Sequence, residues 1–136
     1  MSTAFDELFK RYGQEYGVDW QLLKAQVAAE SNFDPHAISD AGAQGLAQFM
    51  PDTFHEWAQK LGIAHPDPFV PEQAIHAQAG YLAWLIHKTG DTLKALAAYN
   101  WGISHIRHLL DDPDWLEKIP DETRAYVERI NKSLSA

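Results

Sequence analysis

Glu30-Ser31-Asn32-Phe33-Asp34-Pro35-His36-Ala37-Ile38-Ser39-Asp40-Ala41-Gly42-Ala43-Gln44-Gly45-Leu46-Ala47-Gln48-Phe49-Met50-Pro51 is the stretch on which the reading of this chain turns. A helical pattern runs into Glu30 and stops. A glycine-punctuated loop follows, and then a second helical pattern begins. Leu23 and Val27 mark the apolar stripe of the first pattern. At 3.6 residues per turn, Glu30 lies roughly 20° from Leu23 around the axis. A carboxylate therefore occupies the last turn of a helix, on the face that should be buried. Burying a charge is costly, so such a Glu is paired, neutral or lining a cleft.

On the N-terminal side, Asp19 stands as the cap of the helix that carries Trp20, Leu23, Val27 and Glu30. Before it, Thr3 reads as the cap of a first helix with Phe5, Leu8, Phe9 and Tyr12 on one face, and Gly13 and Gly17 bracket its end. On the C-terminal side, Asp34-Pro35 prevents continuation of the helix. Gly42 and Gly45 supply permissive backbone in a polar loop over 36–45. Leu46 to Phe49 then read as a short helix. Pro51 suits the first turn of the next, with Phe54, Trp57, Ala58 and Leu61 facing inward and Gly62 as its stop.

His65-Pro66-Asp67-Pro68-Phe69-Val70-Pro71 is a stiff connector too short to be a domain linker. The longest helix is expected from Pro71 to Thr89, with Ala74, Gln78, Leu82, Leu85 and Ile86 on one face and Gly90 beyond it. Asp91 caps a helix through Leu93, Leu96 and Ala97 into Ala98-Tyr99-Asn100-Trp101-Gly102. The pattern continues through Ile103, Ile106 and Leu110 until Asp112-Pro113. After a turn at Trp115-Leu116, Ile119-Pro120 introduces a last helix with Tyr126, Val127, Ile130 and Leu134 as its stripe. No segment alternates in the manner of a strand, so the fold class is all-α with little or no sheet.

Composition narrows the class. A chain of 136 residues with 46% hydrophobic residues can bury one core, and a single domain over 1–136 is expected. The 16 aromatics, counted as five Trp, five Tyr and six Phe, exceed what such a core needs, so some should line a groove. There is no cysteine, hence no disulfide framework and no thiolate chemistry. A net charge of -8 with no basic stripe argues against nucleic acid and against long-range attraction to an anionic surface. No apolar run approaches a membrane span, so no membrane insertion is expected. The acidic N-terminal stretch Met1–Asp6 does not look like a signal peptide.

Three constellations can carry chemistry. Around Glu30 stand glycines, Ser39, Gln48 and many aromatics. Hydroxyl and amide groups orient a polar substrate, and aromatic faces stack on sugar rings. A partly desolvated Glu keeps its proton near neutral pH, as a general acid for glycosidic cleavage should. The alternative is a helix-end Glu paired with a lysine or arginine. Glycosidases commonly use two carboxylates. Asp34, Asp40, Asp52 and Glu122 are available, but none is a partner by spacing, so a single-acid mechanism has to be considered. The second constellation is Ala98-Tyr99-Asn100-Trp101-Gly102, read either as a helix end or as a phenol and an amide facing a cleft. The third is Ile119-Pro120-Asp121-Glu122-Thr123-Arg124-Ala125-Tyr126-Val127, whose plainer reading is a helix capped by Asp121 with Glu122 in its first turn. His105 and His108 are i, i+3 on one helix, and the other histidines are scattered. Without an HExxH or His/Cys cluster, no metal and no cofactor are expected.

At these residues the sequence resembles the soluble lytic transglycosylase family, whose catalytic domain has the goose-type lysozyme fold. The resemblance lies in Glu30-Ser31 leading through Gly42-Ala43, Gly45-Leu46-Ala47-Gln48 and Met50-Pro51 to Thr53, then in Ala98-Tyr99-Asn100-x-Gly102, then in Ile119-Pro120-x-Glu122-Thr123-x-x-Tyr126-Val127. These segments occur in the family's order and cover nearly the whole chain. Ala47 departs from the pattern, standing where the family often has Met, and is expected to shorten a groove-lining side chain.

The resemblance implies a lysozyme-like helical domain with a substrate groove, acting on peptidoglycan glycan strands as a monomer. Glu30 would protonate the β-1,4 bond between N-acetylmuramic acid and N-acetylglucosamine, then accept the proton of the muramoyl C6 hydroxyl as a 1,6-anhydro ring closes. Ser39, Gln48 and Met50 would bind substrate. Tyr99 and Asn100 would sit across the cleft, with Glu122 and Tyr126 bracing it. A hydrolytic muramidase of the same fold and a non-catalytic glycan-binding module are the other readings. The expected place of action is the cell wall, reached by phage delivery or as a trimmed domain of a secreted enzyme, with the former leaned toward.

Overall fold

In the computed structural model, which describes residues 4–135, capping chemistry sets most of the helix boundaries. Helix α1, Asp6–Tyr16, ends where Gly17 takes φ 71°, and α2, Trp20–Ser31, begins where the Asp19 carboxylate accepts the Gln21 N–H. Helix α3, Pro51–Leu61, starts with proline at its first position and ends at Gly62, φ 73°. Helix α4, Pro71–Thr89, is followed by Gly90 at φ 74°. Asp91 caps α5, Thr92–Trp101, by accepting the Lys94 N–H at 2.9 Å. Gly102, at φ 115°, separates α5 from the single-turn α6, Ile103–Ile106. Two 3₁₀ turns, Arg107–Leu109 and Trp115–Glu117, lead to α7, Asp121–Ser135. Among the described residues the only β pairing is a pair of isolated bridges, Ile38 with Gln44 and Gln44 with Phe49.

Several boundaries differ from expectation. Thr3 lies outside the described residues, and α1 begins at Asp6 with Phe5 at the cap position, where it offers no side-chain bond. Leu46 to Phe49 are not helical. Gln44 and Phe49 exchange backbone hydrogen bonds of 2.9 and 3.2 Å, which closes a tight loop over the residues between them. Gly45 and Gln48 in that loop have φ of 80° and 51°, which no right-handed helix admits. Asp121 is not a cap. It lies inside the first turn of α7 and pairs with Arg124. Leu134 is 40% exposed, so the apolar stripe of α7 stops at Ile130.

The chain divides into two compact units, Met1–Tyr81 and Leu82–Ala136. Helix α4 gives residues 71–81 to the first and 82–89 to the second. In the first, α1 packs on α2 over a core that includes Phe9, Leu23, Val27, Leu46, Phe54 and Ile75, all fully buried. His76 of α4 stacks on Tyr12 at 4.4 Å between centroids and shares a 2.7 Å hydrogen bond with the Tyr16 hydroxyl. Burial and the neighbouring Glu15 push the Tyr16 phenol up to about 12, so it stays protonated and able to donate. In the second unit, α5 packs on α6 and α7 around Leu82, Leu85, Leu96, Ile106 and Ile130.

Candidate active site

Glu30 sits in the final turn of α2 and is half-buried. The chain turns away immediately after it. Asn32 and Phe33 take φ of 51° and 63°, two consecutive left-handed residues. For Phe this is an uncommon and strained conformation, of the kind held in place only when surroundings over-determine it. Ser31 supplies part of that determination. Its hydroxyl reaches the Leu46 carbonyl at 2.8 Å, with the Val27 carbonyl at 3.3 Å, and so ties the end of α2 to the loop after it.

That loop is braced from within. The Ser39 Oγ accepts the Ala43 N–H at 2.9 Å, while the Ser39 N–H donates to the Ala43 carbonyl. Gln48 places its side-chain nitrogen between the Gly45 and Ala37 carbonyls, at 2.9 and 3.2 Å. Gly45 is confined: a Cβ there would meet the Pro68 carbonyl oxygen at 2.1 Å. Ser39 and Gln48 thus spend part of their bonding capacity on the loop itself. Among the described residues, the Ser39 hydroxyl is bonded only as an acceptor and the Gln48 amide only through its nitrogen. Met50, where the loop enters α3, is 46% exposed and offers an apolar contact. Ala47 is 1% exposed and belongs to the core.

The remaining residues lie in the second unit. Tyr99 is half-buried and Asn100 exposed at the end of α5. The Thr123 hydroxyl donates to Asn100 Oδ1 at 2.9 Å and ties this end to the first turn of α7. Glu122 is exposed in that turn, while Tyr126, one turn on, is 6% exposed. Ser31 and Thr123 hold the segments in shape, and sequence reading gave neither a role although both stand in its motifs. The available signal was their position: each directly follows a glutamate that had been singled out.

The aromatic surplus is divided. Phe49, Phe54 and Trp57 are buried, and Phe49 and Trp57 both pack against Tyr81. Trp101 is half-buried and stacks on His105 at 4.8 Å. Of the spare carboxylates, Asp34 accepts its own loop's His36 N–H, and Asp40 and Asp52 are exposed. Among the described residues no group of three or more His, Cys, Asp or Glu side chains is gathered to hold a metal ion.

The described residues form helices without a strand, and their superposition on solved lytic transglycosylase structures makes this a lysozyme-like helical protein. Residues 7–121 match the Transglycosylase SLT domain, and the chain belongs to that family. It is 35% identical to membrane-bound lytic murein transglycosylase F of Haemophilus influenzae (strain PittEE), over 83% of this chain and 25% of that protein. It is 38% identical to the protein of that name from Desulfosudis oleivorans, over 76% of this chain and 23% of that one. Among solved structures, lytic transglycosylase Slt from Pseudomonas aeruginosa, in an inactive Glu-to-Gln mutant form, superposes with a TM-score of 0.87 at 32% identity, covering 96% of this chain and 23% of that one. The 70-kDa soluble lytic transglycosylase of Escherichia coli gives 0.85 at 29% identity, with the same two coverages of 96% and 23%. The chain therefore spans about a quarter of the length of these relatives.

Proposed function

We propose that residues 1–136 form a catalytic domain that cleaves peptidoglycan glycan strands without hydrolysis, with Glu30 as the only acid and base. The observation that carries this reading is the half-buried Glu30 at the end of α2, locked to the following loop through Ser31, in a chain of the SLT family. Protonated Glu30 gives its proton to the bridging oxygen between N-acetylmuramic acid and N-acetylglucosamine, and the C1–O bond breaks. The C6 hydroxyl of the same muramoyl residue attacks C1, and the Glu30 carboxylate takes its proton. Glu30 ends as it began, and no water is consumed. The nucleophile is tethered to the reacting centre, which supplies the advantage of proximity. The Ser39 hydroxyl and Gln48 Oε1 bind polar groups of the sugar, and Met50 packs against its apolar face. Tyr99, Asn100, Glu122 and Tyr126 of the second unit are the further residues assigned to substrate binding.

The relatives support this chemistry over hydrolysis. All those named above are lytic transglycosylases, and a Glu-to-Gln form of one is inactive. A related structure holds bulgecin A. The place of action is the bacterial cell wall. The expectation of phage delivery finds no support in these relatives, which are bacterial and, for those named transglycosylase F, membrane-bound. No helix among the described residues is long and apolar enough to cross a membrane.

The test is mass spectrometry of the soluble products from purified peptidoglycan. Muropeptides one water lighter than hydrolysis products, lacking a reducible end, are expected, and Glu30→Gln is expected to release none while melting at the wild-type temperature. Reducible N-acetylmuramic acid ends would instead make the protein a muramidase.

A further inference from the structure

An amide pair is sealed in the first unit. Gln26 of α2 and Gln78 of α4 are both fully buried. The Gln78 side-chain nitrogen donates to Gln26 Oε1 at 2.8 Å and to the Leu23 backbone carbonyl at 3.1 Å. Gln78 Oε1 is buried with no hydrogen-bond partner among the described residues. This is an expensive way to fill the space between two helices. A leucine or methionine pair would exclude water equally well and leave no polar atom unsatisfied.

What hydrogen bonds provide and apolar contact does not is direction. Leu23 lies two turns before Glu30 and Gln26 one turn before it, so both acceptors of Gln78 belong to the stripe of α2 that ends in Glu30. A donor on α4 that reads two acceptors on that stripe sets the rotation of α2 about its own axis. With side chains reaching about 5–6 Å from a helix axis, a rotation of about 20° carries a carboxylate roughly 2 Å sideways. A misplacement of about 1 Å can cost a reacting group on the order of a hundredfold in rate.

We infer that Gln78, acting through Gln26 and the Leu23 carbonyl, is a positioning residue for Glu30. This rests on the catalytic role proposed for Glu30. Gln78 touches no substrate; it holds the helix on which the acid stands, and the desolvation of two amides is the cost of that precision.

The decisive variant is Gln26→Met/Gln78→Met, which removes both amides of the pair together at nearly constant volume. Two readouts are needed: release of anhydro-muropeptides, and amide hydrogen exchange across residues 27–31. The double variant is expected to melt at or above the wild-type temperature. Its kcat should fall at least tenfold with KM within twofold, and exchange at 27–31 should quicken. Wild-type kcat together with wild-type exchange in a stably folded double variant would overturn the inference and leave the pair as packing. Quickened exchange in the variant, with no anhydro product even from wild-type protein, would uphold the control of α2 and overturn instead the catalytic reading.

Discussion

Adding a single methyl group at Gly45 tests how tightly the loop after Glu30 is held. Two penalties act there. The backbone φ of 80° is left-handed, and for a residue with a Cβ that costs about 1–2 kcal/mol. The Cβ would also lie 2.1 Å from the Pro68 carbonyl oxygen and 3.0 Å from its carbon, backbone atoms that no rotamer change can clear. Gly42 isolates the first penalty. Its φ is 95°, and a Cβ there meets nothing within 4 Å. For 136 residues, an unfolding entropy of about 2.1 cal/mol/K per residue comes to about 0.3 kcal/mol/K. Gly42→Ala should therefore lower Tm by about 3–7 °C. Gly45→Ala must also displace either the 66–68 connector or the loop, at about 1–3 kcal/mol more, and should lower Tm by a further 3–10 °C. Because the displaced loop carries Ser39 and Gln48, Gly45→Ala should also lose muropeptide release that Gly42→Ala retains. Differential scanning calorimetry and a turbidity assay on cell walls measure both. Equal Tm values for the two variants would refute the argument that the connector confines Gly45.

Ser31→Ala removes the 2.8 Å bond to the Leu46 carbonyl and should cost about 1–2 kcal/mol, with a larger proportional fall in kcat than in 1/KM, read by chemical denaturation and steady-state kinetics. Thr123→Val removes the donor to Asn100 while filling the same space; since Asn100 is exposed and water can replace the donor, a loss of about 1 kcal/mol is expected in urea denaturation. Burial lowers the His76 pKa from its ordinary 6.5, opposed by the charges of Glu15 and Glu72 and reinforced by Arg11. The folded state thus prefers neutral His76, so its contribution is complete above that value and is lost as pH falls through the lowered one. Tm should drop on going from about pH 7.5 to about pH 5, and His76→Gln should flatten the slope; an unchanged slope would remove His76 as its source.

Local chemistry was legible in the sequence, and long-range pairing was not. Asp19 and Asp91 cap the helices they were expected to cap, because an N-cap bond joins neighbours in the chain. Helix α4 was readable from Pro71 to Thr89 since proline and glycine mark its two ends. The Leu46–Phe49 segment misled because its composition is helical, while its geometry depends on Gln48 in a left-handed conformation that is unusual for a non-glycine residue. The burial of Ala47 was not legible for a related reason: a small apolar residue in a loop gives no sign of it. Gln78 was placed on the buried face of α4, yet its partner Gln26 lies 52 residues away, and no periodicity announces such a pair.

The reach of these bonds along the chain also bears on the order in which the protein assembles. Within the loop after Glu30, the ties from Ser39 to Ala43, Gln44 to Phe49 and Gln48 to Ala37 span at most 11 residues. Closing a loop of about ten residues takes about 10–100 ns, far less than most domains need to fold. The bonds from Gln78 to Leu23 and Gln26 span 55 and 52 residues and must wait until α4 has found α2. The loop after Glu30 can thus take its shape while α2 is still free to turn, and Glu30 comes into register in a later step. In time-resolved refolding, protection of the Ala43 and Gln44 amides should precede protection at the end of α2.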